Sequence, residues 1–509
     1  DGFCLWPFEG NDYNVSKSPW RGGKGNVVRE LADACKKYGL KFAVYLSPWD
    51  RSRAEYATPD YLPYFYAQLR DLLTNYGEVF EVWFDGANGG DGYYGGAKDQ
   101  RTIDRKNYYN YPHIFKMLDE IQPNAVVFGD GGPGCRWVGN EKGFAGETNW
   151  AFLRKGEVYP GYPNYHELTY GHADGNQWTA AECDVSIRPG WFYHPEEDDK
   201  VKSPDQLVDL YYRSVGHNAT FLLNFPVDRD GLIHPVDSAN AITYHNIIQR
   251  ELSNNLVAGM KARVSSQRGG QFTAKALTDN SWDTYWATPD GVTTGDIEFR
   301  FKKPQRMNRI MLQEYIPLGQ RVKKFSVEYL NNKGQWQTVE QPEETTTIGY
   351  KRLLRFATVV SKGIRVRILD SRGPLCINNI GVYDGGKDAK LTWSKAAEDL
   401  KSLPFTIVKK GADEVVIDLG EAKDITTLQY LPDQSEHRKG LVHTYSISTC
   451  DANGNVQKTL KKDEFSNIQN NPILQTVTFP TVKTRYLKFK AERMVKAGEN
   501  MNYEALGVN

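Results

Sequence analysis

Near residue 255 the hydrophobic period of this chain changes, and the change divides it into parts that must fold differently. Over residues 1–254, short apolar runs alternate with segments of helical period. The strand candidates are 3–6, 42–47, 79–85, 125–129, 182–187 and 220–224. Helices are predicted over 25–38, 61–76, 108–121, 204–215 and 236–252. The first carries Val28, Leu31, Ala32 and Cys35 at helical spacing, and Gly39 follows as a stop signal. Alternating strands and helices imply parallel strands joined by right-handed crossovers. Several strands run out into polar, acidic or Gly-rich residues, as at Asp50, Asp85-Gly86, Asp130-Gly131-Gly132 and Asn224. Chemistry at strand C-termini is the mark of a (β/α)8 TIM barrel, which needs eight strands where about six can be read. The expectation is an N-terminally incomplete barrel whose first strand or two lie upstream of Asp1, or else a smaller barrel. The chain opens on an apolar run with neither initiator methionine nor signal peptide, so targeting cannot be read from it.

Beyond 255 the helical period fades and short alternating strands take over, at 297–301, 325–329 and 364–368. The same series recurs at 416–419, 445–448 and 486–489, an offset of roughly 120 residues. Two copies of one β-sandwich are expected, over 255–385 and 386–509.

Charge removes some functions. With 63 basic and 63 acidic side chains, the chain has no electrostatic basis for a nucleic-acid or anionic-membrane partner. No run of 18 apolar residues is present, so no membrane span is expected. Six cysteines are scattered without a CxxC pair and are expected to be mostly free and buried. Aromatic residues make up 13% of the chain, which suits sugar stacking but also ordinary packing.

The sharpest local feature is Glu81-Val82-Trp83-Phe84-Asp85-Gly86-Ala87-Asn88, a bulky strand ending in an acid and a glycine. A carboxylate so placed is held rigidly and leaves room for a ligand; by itself it suits a nucleophile, a metal ligand or a loop cap. Three other segments supply context: Asp1-Gly2-Phe3-Cys4-Leu5-Trp6, Arg136-Trp137-Val138-Gly139-Asn140-Glu141, and Ser186-Ile187-Arg188-Pro189-Gly190-Trp191-Phe192-Tyr193. In order and spacing the four resemble glycoside hydrolase family 29, the α-L-fucosidases. The WVGNE and SIRPGWFY forms look like the subfamily that cleaves α-1,3/1,4-linked fucose from branched glycans.

That resemblance implies a retaining mechanism with Asp85 as nucleophile and Glu141 as general acid/base, about 5–5.5 Å apart. Glu147, six residues on, is the rival acid/base. Trp6, Trp49, Trp191 and Tyr193 are candidates for packing on the sugar, and Arg188 for hydrogen-bonding it or holding Asp85 ionised. His194 and His217 read as structural. The family's sugar-binding His pair would precede Asp1. No cofactor is expected for catalysis, the partner is a fucosylated oligosaccharide or glycoconjugate, and the location is secreted or periplasmic.

Both sandwiches resemble discoidin-like (F5/8 type C) domains, the fold of family 32 carbohydrate-binding modules. The best match is the segment from Ala276 to Trp286, where Asp279, Asn280 and Asp283 offer oxygen ligands for a structural calcium or build an Asx-rich turn. Arg321, on a loop in the same domain, is expected either at the active-site rim or simply exposed at a strand end.

Overall fold

A computed structural model describes residues 2–387, 400–435, 438–465, 468–469 and 472–509. Asp1 and residues 388–395 of the expected boundary between the sandwiches lie outside the described residues.

The first part is built on one all-parallel sheet of six strands in chain order. These are β1 (Ala43–Tyr45), β2 (Glu81–Trp83), β3 (Val126–Gly129), β4 (Cys135–Trp137), β5 (Ala180–Ser186) and β6 (Ala219–Asn224). The count matches the sequence reading, but one member differs. Segment 3–6 is not in the sheet; Cys4 makes an isolated bridge to Asn14. Its apolar run is used instead for packing against α2. The extra strand is β4, hidden from periodicity because it has Arg136 at its centre and follows a Gly-rich turn.

The five predicted helices are α1 (Val27–Tyr38), α2 (Tyr61–Asn75), α3 (Tyr111–Ile121), α4 (Pro204–Ser214) and α5 (Pro235–Leu252). Their ends follow local chemistry. Asn26 caps the start of α1 through the Arg29 amide, and Gly39 ends it in the left-handed region. Ser203 and Gln206 form a reciprocal capping box on α4. All six cysteines are free and buried.

Period-two alternation sorts the strands' side chains. Val82 and Phe84 are buried on the outer face, where Phe84 meets Tyr111 of α3 edge-on. Trp83 points the other way and stacks on Phe128 of β3, with centroids 4.1 Å apart. That inner face carries the acids.

The two later domains share one pairing scheme. In the first, Gly295–Glu314 and Val322–Leu330 both pair antiparallel with Arg352–Ser371. In the second, Glu414–Leu431 and Val442–Cys450 both pair with Gln475–Met494. The long strands carry register shifts, as between Arg300 and Gln305, and a bulge bends a strand at such a point. Each domain closes its own apolar core, around Phe299, Leu312 and Val366 or around Ile417, Ile447 and Phe489.

A buried polar seam joins the barrel to the first sandwich. His217 Nδ1 lies 3.0 Å from the acceptor Ala145 O and its Nε2 3.0 Å from the acceptor Glu343 Oε2, and Arg352 Nη2 donates to the same Glu343 oxygen at 2.9 Å. Gln320 bridges Ala151 N and Asn149 O, both at 2.8 Å. Burial, then the Arg352 charge, push the His217 imidazole down. Burial alone would raise Glu343, but His217 and Arg352 hold it below its ordinary value. His217 is structural, as expected. Replacing Glu343 with Ala strands a buried guanidinium, a loss of about 3–5 kcal/mol. Calorimetry of Glu343→Ala is therefore expected to show a melting transition several degrees lower; an unchanged Tm would mean the seam contributes nothing.

Candidate active site

The C-terminal ends of β2 to β5 surround a cavity of about 500 Å³. Asp85, Glu141, Asp130 and Asp184 all reach it, together with Trp49, Trp83, Phe128 and Trp137. Of the two residues predicted to do chemistry, Asp85 follows β2 directly. Its Oδ2 accepts a hydrogen bond from Tyr45 Oη and its Oδ1 one from the Ala87 amide, both at 2.7 Å. The carboxylate is thus fixed through both oxygens. Behind it, Gly86 is obligatory for steric reasons: a Cβ there would lie 2.7 Å from Asp130 Oδ2.

Glu141 stands on the turn after β4. Asn140 ties that turn, accepting from the Lys142 amide at 3.0 Å and donating to Phe144 O at 3.1 Å. Gly139 has φ +75°, and a Cβ on it would sit 1.9 Å from Tyr165 O, so no other residue fits. Trp191 Nε1 donates to Glu141 Oε2 at 3.0 Å. The Trp191 carbonyl is held in turn by Asn224 at the end of β6.

The other predicted residues divide. Trp49 lines the cavity, its indole nitrogen bonded to Tyr94 Oη at 3.0 Å. Four are placed elsewhere. Trp6 is buried and donates to Asp71 of α2 at 2.8 Å, because segment 3–6 packs on that helix. Arg188 is fully buried in a two-pronged pair with Asp237 at the start of α5, both bonds 2.8 Å, and also meets Asp198. Its guanidinium is paired with these two carboxylates and not with Asp85. Tyr193 lies against that guanidinium, 4.6 Å from its ring centre, and against His234. Arg321 donates to Pro374 O and Leu318 O within its own domain; its neighbour Gln320 is the one that reaches the barrel. Glu147 accepts from the Glu344 amide at 2.7 Å, on the seam with the first sandwich. His194 is exposed.

Several residues escaped the sequence reading as site candidates: Asp130, Trp137 and Asp184 line the cavity, and Tyr45 bonds Asp85. For Asp184 the signal is alternation, since Glu182, Asp184 and Ser186 follow one another on the inner face of β5. Asp184 accepts from Trp137 Nε1 at 2.8 Å; burial, then the Glu141 charge, push it well above the usual carboxylate range. Burial, aided by Asp85, pushes Asp130 up to about 7. Burial and the Asp85 charge also raise the Tyr45 phenol, which therefore stays a donor.

Below Trp83 lies a second acidic layer. Ligand atoms of Glu81, Cys135 and Glu182 fall within 4.8 Å of one another. Burial and the two carboxyls push the Cys135 thiol up. Burial, then the Glu182 charge, push Glu81 up to about 7. The two carboxyls hydrogen-bond each other, which favours one proton held between them.

A cleft at the C-terminal ends of parallel strands, lined by a fixed carboxylate and by a second on a braced turn with aromatic walls around them, is a glycosidase-type site. Comparison with known proteins agrees. Residues 1–242 match the family model of α-L-fucosidases, and residues 261–382 and 378–504 match that of the F5/8 type C domain. The chain is 39% identical to α-L-fucosidase 1 of Arabidopsis thaliana over 391 residues, covering 75% of this chain and 74% of the plant protein. It resembles the crystal structure of a glycoside hydrolase family 29 member from an unknown rumen bacterium, with 42% identity and a TM-score of 0.68, over 100% of this chain and 86% of that one. A Ruminococcus gnavus family 29 fucosidase solved in complex with fucose matches at 31% identity and a TM-score of 0.64, over 77% of this chain and 81% of that one. The chain belongs to the α-L-fucosidase family, glycoside hydrolase family 29, and is a glycosidase carrying two F5/8 type C domains.

The raised carboxyl of Glu81 gives a pH signature. The folded chain keeps this proton up to about pH 7, whereas an unfolded Glu loses it near about pH 4.3. Stability is therefore present below that lower value and is lost as pH rises through 7. Glu81→Gln keeps the hydrogen bonding without the charge. Its Tm is expected to fall less than the wild type's between about pH 5 and 8, and parallel curves would refute the shared proton.

Proposed function

We propose that this enzyme removes terminal α-1,3/1,4-linked L-fucose from branched oligosaccharides or glycoconjugates, with retention of configuration. The observation that carries the mechanism is the placement of Asp85 and Glu141 on one cavity, with Tyr45 feeling the charge of both. Asp85 attacks the anomeric carbon as the glycosidic bond breaks, while the Glu141 carboxyl gives its proton to the leaving oxygen. A glycosyl–Asp85 ester results. Glu141, now a carboxylate, takes a proton from water, whose oxygen displaces Asp85 and restores both groups. Tyr45 and the Ala87 amide orient the nucleophile and stabilise it as it is expelled. Trp191 holds Glu141 in place through both half-reactions.

The sugar is supported by the family and by the relative that binds fucose. The linkage rests on the WVGNE form of the Glu141 turn and the SIRPGWFY segment. A secreted or periplasmic location suits such substrates; among the described residues no helix is long and apolar enough to cross a membrane. In the calcium-candidate loop, Asp279 accepts from Thr284 Oγ1 at 2.9 Å, while the Ser281 and Thr284 carbonyls both accept from Asn378 Nδ2, at 2.8 and 2.7 Å. Those hydrogen bonds support our reading of the loop, with Asn280 and Asp283, as an Asx turn that holds its shape without the ion.

Asp85→Ala should abolish hydrolysis of an aryl α-L-fucoside. Glu141→Ala should slow it by about 10²–10⁴-fold and be rescued by azide on an activated substrate. Rescue confined to Glu147→Ala would overturn the assignment, and no turnover by the wild type would overturn the function. For the loop, EDTA is expected to leave Tm unchanged; a fall reversed by calcium would restore the ion.

A further inference from the structure

The last sandwich does not stand apart from the cavity. Gln469 and Lys496, both from that domain, are among the residues that line it. The domain is held against the barrel at two places. Arg493 Nη1 lies 3.9 Å from Asp91 Oδ2, in the loop region after β2. Arg438 stacks over the Tyr165 ring, 6.0 Å from its centre, and donates from Nη1 to the Gln469 carbonyl at 3.2 Å. Arg438 therefore pins the Gln469 loop to the cavity wall that Tyr165 provides.

This wall is on a particular side. Tyr165 O packs against Gly139 in the turn that carries Glu141. Lys142, the next residue of that turn, is pushed down to about 8 by burial and then by the Arg438 charge, which places the last domain beside it. An acid/base protonates the leaving oxygen, so the departing sugar must lie on the Glu141 side of the cavity. The residues of the last sandwich that reach the cavity face that sugar, not the fucose. Lys496 is exposed and makes no ion pair among the described residues, and the Gln469 side chain makes no hydrogen bond among them. Both are free to meet hydroxyls. Tyr162 and Tyr165 supply the aromatic surface that a pyranose face stacks upon.

We propose that Lys496 and Gln469 form a leaving-sugar subsite that takes the oligosaccharide from which fucose departs, through hydrogen bonds to its hydroxyl groups. The C-terminal F5/8 type C domain thereby becomes part of the specificity of the active site. The proposal rests on the fucosidase reading above and assigns the half of the substrate which that reading leaves open.

The test uses the whole chain and two substrates. One is an aryl α-L-fucoside, whose leaving group is too small to span the cavity; the other is a branched oligosaccharide carrying α-1,3/1,4-linked fucose. In the Lys496→Met, Gln469→Ala double variant, kcat/KM on the oligosaccharide should fall about tenfold more than on the aryl fucoside, as expected for two lost hydrogen bonds. The loss should lie in KM, since the subsite binds ground and transition states alike. Lys496→Met alone, which keeps the length and apolar stem of the side chain, should show a smaller effect of the same kind with Tm unchanged. Equal losses on both substrates, or none on either, would overturn the subsite while leaving the fucosidase reading intact. A wild type inactive on both substrates would overturn the fucosidase reading itself.

Discussion

The structure depends on one constraint: a parallel strand shows alternate side chains to opposite faces, and here the inner face is acidic. β2 sends Glu81, Trp83 and then Asp85 inward, while β5 sends Glu182, Asp184 and Ser186. Burying so many carboxyls together is unfavourable unless most are neutral or hydrogen-bonded. The molecule meets this by distributing protons. Asp184 is pushed well above the carboxylate range, Asp130 and Glu81 to about 7. Asp85 is hydrogen-bonded through both oxygens, by the Tyr45 hydroxyl and the Ala87 amide, which fixes the orientation of its carboxyl group. The aromatic layer of Trp83 and Phe128 separates this upper chemistry from the proton-sharing pair beneath.

The two carboxyls proposed to react are positioned by opposite means. Asp85 inherits its place from a strand, which allows it little freedom. Glu141 sits on a turn, and a turn must be fixed residue by residue. Gly139 is pressed on Tyr165, Asn140 closes the backbone on both sides, and Trp191 reaches across from the β5–α4 connection. Arg136, just before the turn, is fully buried and donates to Leu168 O, Thr179 O and Asn149 Oδ1. Asn149 belongs to the seam with the first sandwich, so the placement of Glu141 draws on a neighbouring domain as well as on the barrel.

These two modes also explain what could be read from the sequence. The strands, helices and repeated sandwiches were legible because burial imposes a period, and five of six barrel strands and all five helices follow it. β4 was not, because it carries Arg136 at its centre and follows a Gly-rich turn instead of extending an apolar run. Asp85 was legible as a strand-end acid, and Glu141 through the segment around it. Arg188 and Tyr193 misled because their segment does reach the site, but through Trp191; the guanidinium turns inward to Asp237, a partner 49 positions away that no local pattern reveals. Trp6 turned to Asp71 for the same reason. Neighbours in sequence share a loop, and which of them faces the cavity is decided by partners from other elements.

The two sandwiches then play different mechanical parts despite a common fold. The first meets the barrel through side chains that are themselves buried: Glu343 and Arg352 are only 2% and 1% exposed, and Arg309 and Glu251 form a second such pair. Charges buried in that way fix geometry, because moving either partner leaves the other without compensation. The second meets the barrel through Arg493 and Asp91, 55% and 70% exposed, a contact that solvent screens and that holds with little force. A rigid first sandwich suits the task of fixing the turn that bears Glu141, where displacement of an ångström would impair proton transfer. A lightly held second sandwich suits the outer rim, where in the proposed subsite the departing sugar enters and leaves at every turnover.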